Sequence, residues 1–436
     1  MKIPVGWMIG VLAAVIVGVA NPLGAAPLSL DDCVRLALRN NLAVEEAHNE
    51  LLRANAGVLG ARSAFFPNLS LNGGWSKSEE PRPFEQGESF VFSDETWSAS
   101  ANADLTLFNG FGNVSGYQQS LRAEDAFERS FVKSRQDVAL QTETRYFEVL
   151  KQQALLQVNQ EAADHAEGQL SKTNAMKDLG AATLADVYKA EVDFANNRLA
   201  VLRTQRDLEV GKASLANYLG IDPREPIVLV PESLDASADF DLDAASELAL
   251  EVNPKLTSAE SSMEAGRLAV RVAKSDRYPS LSAFASTSFF NREPKDFDDE
   301  HIEWQTGVRL NFTLFDGFFT KSNIRSAEAS LLTARRSLET TELDVLFEVR
   351  RAYLDLEIAR ESITVAGDAV RSSQEDLRFA QERYNIGEGT ILDVIDAQVN
   401  LTRSKTNLVT AQYDARLAVS ALRNAVGDYT LPEEGP

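Results

Sequence analysis

Two periods of apolar residues divide the chain. From Gly112 to Asp178, and again from Phe319 to Tyr384, there is no proline, and Ala, Leu, Glu, Gln and Arg dominate. Apolar residues recur there every seven positions: Val149, Leu156, Ala163 and Leu170 in the first run, Leu356, Ile363, Val370 and Leu377 in the second. A helix of this length reaches about 100 Å at 1.5 Å per residue, too long for a globular core to bury. Beyond Gly180 and Gly387 a second helix keeps the period, with Val187, Phe194, Val201, Leu208 and Leu215 in one copy and Val394, Leu401, Leu408, Ala415 and Leu422 in the other. Small residues occupy the partner seam: Ala190, Asn197, Thr204 and Gly211, then Ala397, Ser404, Ala411 and Ala418. A seven-residue spacing forces 3.5 residues per turn on a 3.6-residue helix, so neighbours must supercoil. The glycine breaks predict antiparallel helix hairpins.

Before each long helix the period drops to two. Trp97 to Leu107 and Ile302 to Leu314 alternate apolar and polar residues, which predicts strands with one wet and one greasy face. Looser partners, Asn68 to Ser78 and Ser280 to Phe290, precede them across acidic loops. With Trp near the loop ends, the segments read as membrane-spanning hairpins with an aromatic girdle. Two other readings compete: a soluble β-sandwich for these segments, and a periplasmic coiled-coil structural or adaptor protein without a pore for the whole chain.

The two sets of elements are copies. Leu107-Phe108-Asn109-Gly110-Phe111 matches Leu314-Phe315-Asp316-Gly317-Phe318 at an offset of 207, and without a gap the same offset aligns Tyr146 with Tyr353, Gly180 with Gly387, Thr183 with Thr390, Asp186 with Asp393 and Gly220 with Gly427. Upstream, Leu30 matches Leu242 and Pro67 matches Pro279 at an offset of 212. Five extra residues in the first copy therefore lie between the proline and the Leu-Phe motif, which marks a loop. The predicted organisation is a first repeat over 28–220 with a strand hairpin at 68–108, a connector over 221–241, and a second repeat over 242–430 with a hairpin at 280–315. The connector carries Pro223, Pro226 and Pro231 and one short strand at Ile227 to Val230.

Four strands leave open edges, and unsatisfied backbone groups are not tolerated in lipid. Closure demands oligomerisation. Two chains give eight strands and three give twelve; a long hollow helical extension favours the wider barrel, so a homotrimer in membrane lipid is expected.

Composition narrows the alternatives. Lys+Arg 43 against Asp+Glu 65 leaves a net charge of −22, which argues against nucleic acid as a partner. The segment Ile221–Asp243, the Glu79–Glu95 loop and the Asn291–Glu303 loop supply −15 of it, leaving the helices nearer balance. Mean hydropathy of −0.21 excludes a bundle of apolar membrane helices. A single cysteine, Cys33, excludes a disulfide framework or thiolate zinc site. His48, His165 and His301 have no ligand spacing, and no nucleophile–base motif or phosphate loop occurs, so no catalytic residue, metal or cofactor is expected. Residues 1–25, with Lys2 and an apolar run from Val5 to Ala20, read as a secretory signal peptide.

Taken with the turn motifs Leu179-Gly180-Ala181-Ala182-Thr183-Leu184-Ala185-Asp186-Val187 and Tyr384-Asn385-Ile386-Gly387-Glu388-Gly389-Thr390-Ile391-Leu392-Asp393-Val394, the duplication and the Leu-Phe-(Asn/Asp)-Gly junctions resemble the TolC family of outer-membrane efflux channels. The resemblance implies a mainly α chain with a membrane β-barrel portion: a trimeric 12-stranded barrel continued by a coiled-coil tunnel across the periplasm, two repeats per chain. It implies docking to a periplasmic adaptor (membrane fusion protein) and an inner-membrane pump of RND or ABC type, in efflux or type I secretion. The connector and C-terminal residues are expected around the tunnel's equator.

Candidate constriction residues follow. Asp393 and Asp396, three apart, share a helix face and would form stacked carboxylate rings in a trimer. Thr390 with Asp393, and Thr183 with Asp186, also fit a capping box, a purely structural role. Asp396 has Lys189 as its counterpart, so no requirement shared by the repeats explains it. Tyr384 and Asp186 match members of the family's closing tether, whose basic residue is replaced by Gly389; Lys189 and Arg383 are candidate substitutes. Gly180, Ala181, Thr183, Gly387, Gly389 and Thr390 form the expected adaptor-docking tips.

Overall fold

The computed structural model describes residues 27–83, 89–235, 240–291, 301–429 and 431. The signal peptide reading lies outside these residues. Among them the chain forms two successive copies of helix, helix, strand pair, long helix and shorter helix. The first is α1 (Leu30–Asn40), α2 (Leu42–Ser63), β1 (Asn68–Pro83), β2 (Ser89–Asn109), α3 (Gly112–Asp178) and α4 (Leu184–Leu219). The second is α5 (Leu242–Val252), α6 (Pro254–Ser275), β3 (Ser280–Asn291), β4 (His301–Asn311), α7 (Phe319–Asn385) and α8 (Ile391–Val426). Each helix boundary recurs at the offset of 212 before the strands and 207 after them.

α3 and α7 are 67 residues each. Their seven-residue seam faces inward: Val149 and Leu356 are buried, as are Leu208, Leu215, Leu401 and Leu422 on the antiparallel partners. Gly211 lets α4 approach until a Cβ there would sit 3.5 Å from Val149. α4 packs on α3, α3 on α8 and α8 on α7, so the lower half runs α4, α3, α8, α7. In the upper half the order is α2, α3, α6, α7.

The four strands form one antiparallel sheet in the order β1-β2-β3-β4. Asn68 pairs with Asp104 and Ser280 with Asn311, the same register in each copy, and the five extra residues fall beyond Ser78 and Asp94, towards the hairpin tip. One sheet face carries Leu69, Leu71, Trp75, Trp97, Val308 and Leu310; the other carries Ser70, Asn72, Ser100, Asn102, Gln305 and Arg309. Phe284 is an aromatic residue on the polar face, stacked beneath Arg309 at 4.8 Å. β1 runs to Pro83, past the expected Ser78, because Ser89 to Asp94 continue to pair with it. β4 ends at Asn311, short of the expected Leu314: β2 is held to Asn109 by β3 across a bulge at Thr106/Phe108, whereas β4 is an edge.

Connector and C-terminal segments cross the middle of α3. The expected strand at Ile227 to Val230 is reduced to a single parallel bridge, Leu28 with Leu229, and the Tyr146 hydroxyl donates to the Val230 carbonyl at 2.5 Å. Tyr429 donates to the buried Glu143 at 2.5 Å. Cys33 lies on α1 in the same core, and burial pushes its thiol up to about 12.

Gly110 has φ +64, and a Cβ there would lie 2.5 Å from the Ser275 carbonyl oxygen and 2.8 Å from Tyr278 Cβ. Left-handed strain and overpacking add, so Gly110→Ala is expected to cost about 2–5 kcal/mol. Denaturant unfolding in detergent checks this; an unshifted midpoint would contradict it.

Candidate functional site

The helix hairpins turn at the end of the molecule farthest from the sheet. At the end of α3, Gly180 has φ +78 and the Ala181 N–H reaches back to the Met176 carbonyl at 2.7 Å. At the end of α7, Gly387 has φ +79 and the Glu388 N–H reaches the Arg383 carbonyl at 2.9 Å. These left-handed closures satisfy carbonyls that a helix C-terminus leaves without partners. Each following helix opens on a reciprocal capping box: Thr183 with Asp186, and Thr390 with Asp393. The boxes leave both carboxylates ionised. The Thr183 hydroxyl and backbone N–H hold Asp186 below the usual carboxylate range, with Lys189 adding attraction. The Thr390 backbone and hydroxyl do the same for Asp393, helped by Arg383.

A lowered folded value means that capping stabilises fully above the unfolded value of 3.8 and fades as pH falls below it. Amide protection in the first turns of α4 and α8, taken relative to the intrinsic exchange rate at each pH, is therefore expected to be constant around neutral pH and to fall below about pH 4. Thr183→Ala should cost about 1 kcal/mol of local stability in α4 at neutral pH. Unchanged exchange in that variant would sink the capping role.

The two hairpin tips are held at one level. Lys172 of α3 donates to Asn385 of α7, and Met176 packs into the cluster of Leu377, Tyr384, Ile391, Val394 and Leu401. Neither link was legible beforehand, because each joins different repeats. Asp393 and Asp396 are exposed near the α8 N-terminus, Asp186 is half-buried on α4, and Thr183 and Thr390 are exposed. Gly180, Ala181 and Gly387 stand in the open; a Cβ on either glycine would meet nothing within 4 Å.

Within one chain Tyr384 is 7% exposed, packed inside the tip cluster, and its hydroxyl has no hydrogen-bond partner. Neither candidate basic substitute for the missing tether reaches across repeats. Lys189 stays within 3.7 Å of its own Asp186, and Arg383 donates to the Glu388 carbonyl at 3.2 Å. Gly389 has a separate reason to be glycine: a Cβ there would press to within 3.1–3.2 Å of the Tyr384 and Arg383 backbone. Among the described residues no cluster could hold a metal ion and no helix is long and apolar enough to cross a membrane.

A two-faced sheet mounted on coiled-coil hairpins of this length, with glycine turns at the far end, defines a TolC-like channel protomer. The chain belongs to the outer membrane efflux protein family, whose profile matches residues 33–221 and 245–428. It is 25% identical over 382 residues to the outer membrane protein TolC of Vibrio cholerae, covering 86% of this chain and 85% of that protein. It is 24% identical over 431 residues to the outer membrane efflux protein BepC of Brucella suis, covering 98% and 91%. Among solved structures, the outer membrane protein VceC of Vibrio cholerae superposes with a TM-score of 0.78 at 20% identity, covering 91% of this chain and 96% of that one. The family consists of channel proteins, not enzymes.

Proposed function

We propose that three copies of the chain form a passive exit duct in the outer membrane, through which small molecules or proteins leave after delivery by an inner-membrane pump of RND or ABC type and a periplasmic adaptor. The observation that carries this reading is the open four-stranded sheet, apolar on one face and polar on the other, with β1 and β4 as free edges. In lipid those edges must be paired, and three copies make a barrel of twelve strands wide enough for an aqueous lumen. The helices have free sides in the same sense. α7 exposes Leu343, Phe347, Ile358 and Val365, and α4 exposes Val192, Leu199, Leu202 and Val210. In this reading the barrel lies in the outer membrane, the helices cross the periplasm, and the glycine turns meet the adaptor.

Heat-modifiable trimers in outer-membrane fractions are the expected result; a soluble periplasmic monomer would favour the pore-free structural or adaptor reading.

In a trimer Asp393 and Asp396 would each contribute a ring of three carboxylates at the narrow end, which would select cations. The capping box fixes Asp393 in its ionised form, whereas Asp396 has no partner role of that kind in the turn. Single-channel recordings of the Asp393→Ala/Asp396→Ala double variant are expected to lose cation selectivity and block by multivalent cations. Unchanged selectivity and block would remove the rings from the account.

A further inference from the structure

We propose that Arg309, held in place by Phe284, is a contact site for anionic groups, phosphate or carboxylate, on the molecules that leave through the barrel. The proposal rests on the duct reading, in which the polar face of the sheet lines the lumen. Among the described residues of that face Arg309 is the only cation, against the acids Asp104 and Glu303. It stands two residues from Asn311, the last of β4, and so about 7 Å from the end where the strands give way to the long helices. Three copies would set three guanidinium groups around the pore at the level where tunnel meets barrel.

The side chain is built into its position. Phe284 on β3 pairs with Gly307 on β4. A Cβ at Gly307 would lie 3.1 Å from Cζ of the Phe284 ring and 3.2 Å from Cε1, so the ring lies across backbone that only a glycine leaves uncovered. Arg309, two residues further along β4 and on the same face, sets its guanidinium carbon 4.8 Å from the ring centroid. Stacking occupies the flat face of a guanidinium and leaves its N–H donors at the edge, in the fork geometry that fits a carboxylate or phosphate. None of these donors is taken by a described acceptor. Asp104 flanks Phe284 from the other side, on β2, two strand spacings or about 10 Å from β4, and makes no ion pair with Arg309.

The first repeat shows that folding does not call for this arrangement. The offsets of 212 and 207 carry Phe284, Gly307 and Arg309 onto Asn72, Ser100 and Asn102. Asn72 pairs with Ser100 in the same register, with neither ring, glycine nor cation. The strand pair therefore forms without the stack, and the second repeat puts an apolar ring on the wet face, where burial gains it least. What the ring gives is order. A long side chain free in water loses rotamer freedom when it meets a ligand, and one already stacked loses less. With Asp393 and Asp396 near the far end of the duct, the two ends present opposite charge to whatever passes.

Tripolyphosphate is the probe, applied to the purified protein in planar bilayers at low salt, where exposed charges are least screened. Transient block of the open channel is expected. Arg309→Gln should weaken that block about tenfold or more, the loss that follows when charge-assisted hydrogen bonds to an anion are removed. Arg309→Lys, a point charge without the fork, should fall between the two. Phe284→Leu should also weaken the block although Arg309 is still present, and Phe284→Tyr, which keeps the ring, should retain it. Asn102→Gln, at the matching place in the first repeat, should block as the unsubstituted protein does. Unheated gels check that each variant assembles. Equal block in Arg309→Gln, or no block of unsubstituted channels that conduct, overturns the site; equal block in Phe284→Leu overturns the part given to the ring. If the unsubstituted protein forms no channels at all, it is the duct reading that fails.

Discussion

Val308→Arg is expected to remove assembled trimers from the outer membrane, while Ser100→Arg leaves them in place. Val308 is 68% exposed on the apolar face of the sheet, four residues from Trp304 at the girdle end. That position falls near the middle of an apolar band about 25 Å tall. An arginine there costs about 2–4 kcal/mol, and a trimer would bear it three times over. Ser100 points the other way, paired with Asn72 and Ser288 on the polar face, where water would solvate the new charge. Unheated gels of outer-membrane fractions read both variants. Trimers at the unsubstituted level in Val308→Arg would mean that this face does not meet lipid.

Gly180→Val and Gly387→Val are expected to abolish efflux with trimer yield retained. The fold should survive because a Cβ at either position meets nothing within 4 Å, so the cost is left-handed backbone strain, about 1–2 kcal/mol for an ordinary L residue and more for a β-branched one. What changes is the surface: a branched side chain on the open tip keeps a partner from approaching the backbone closely. Asn tolerates the left-handed conformation, so Gly387→Asn separates strain from bulk by removing most of the former. Drug susceptibility scored beside trimer yield decides the matter; retained resistance in both valine variants would place docking elsewhere.

The fold was legible wherever a period ran long enough to exclude alternatives. The seven-residue seam through Val149 and Leu356, the alternation through Trp97 and Trp304, and the offset linking Gly180 to Gly387 each point to one local structure. The short helices were less so. α1 and α2 are separated only by Asn41, which terminates one and caps the next, and this leaves no proline or glycine in the sequence to mark the break. Strand ends depend on neighbours: β2 reaches Asn109 through β3, and β4 stops at Asn311 for lack of one.

At the tip, the capping boxes were readable from Thr183 and Asp186 because their spacing is local. The burial of Tyr384 was not, since it depends on α8 folding back to place Ile391 and Val394 beside it. The link from Lys172 to Asn385 spans 213 residues and joins repeats that no local pattern connects.

Planar-bilayer recording of the purified protein tests the central claim most directly, because a closed lumen exists only if the sheet edges pair between copies. Insertion in uniform conductance steps, from a preparation running as trimer, is the expected result. A folded preparation that gives no conductance under any applied voltage would contradict the duct.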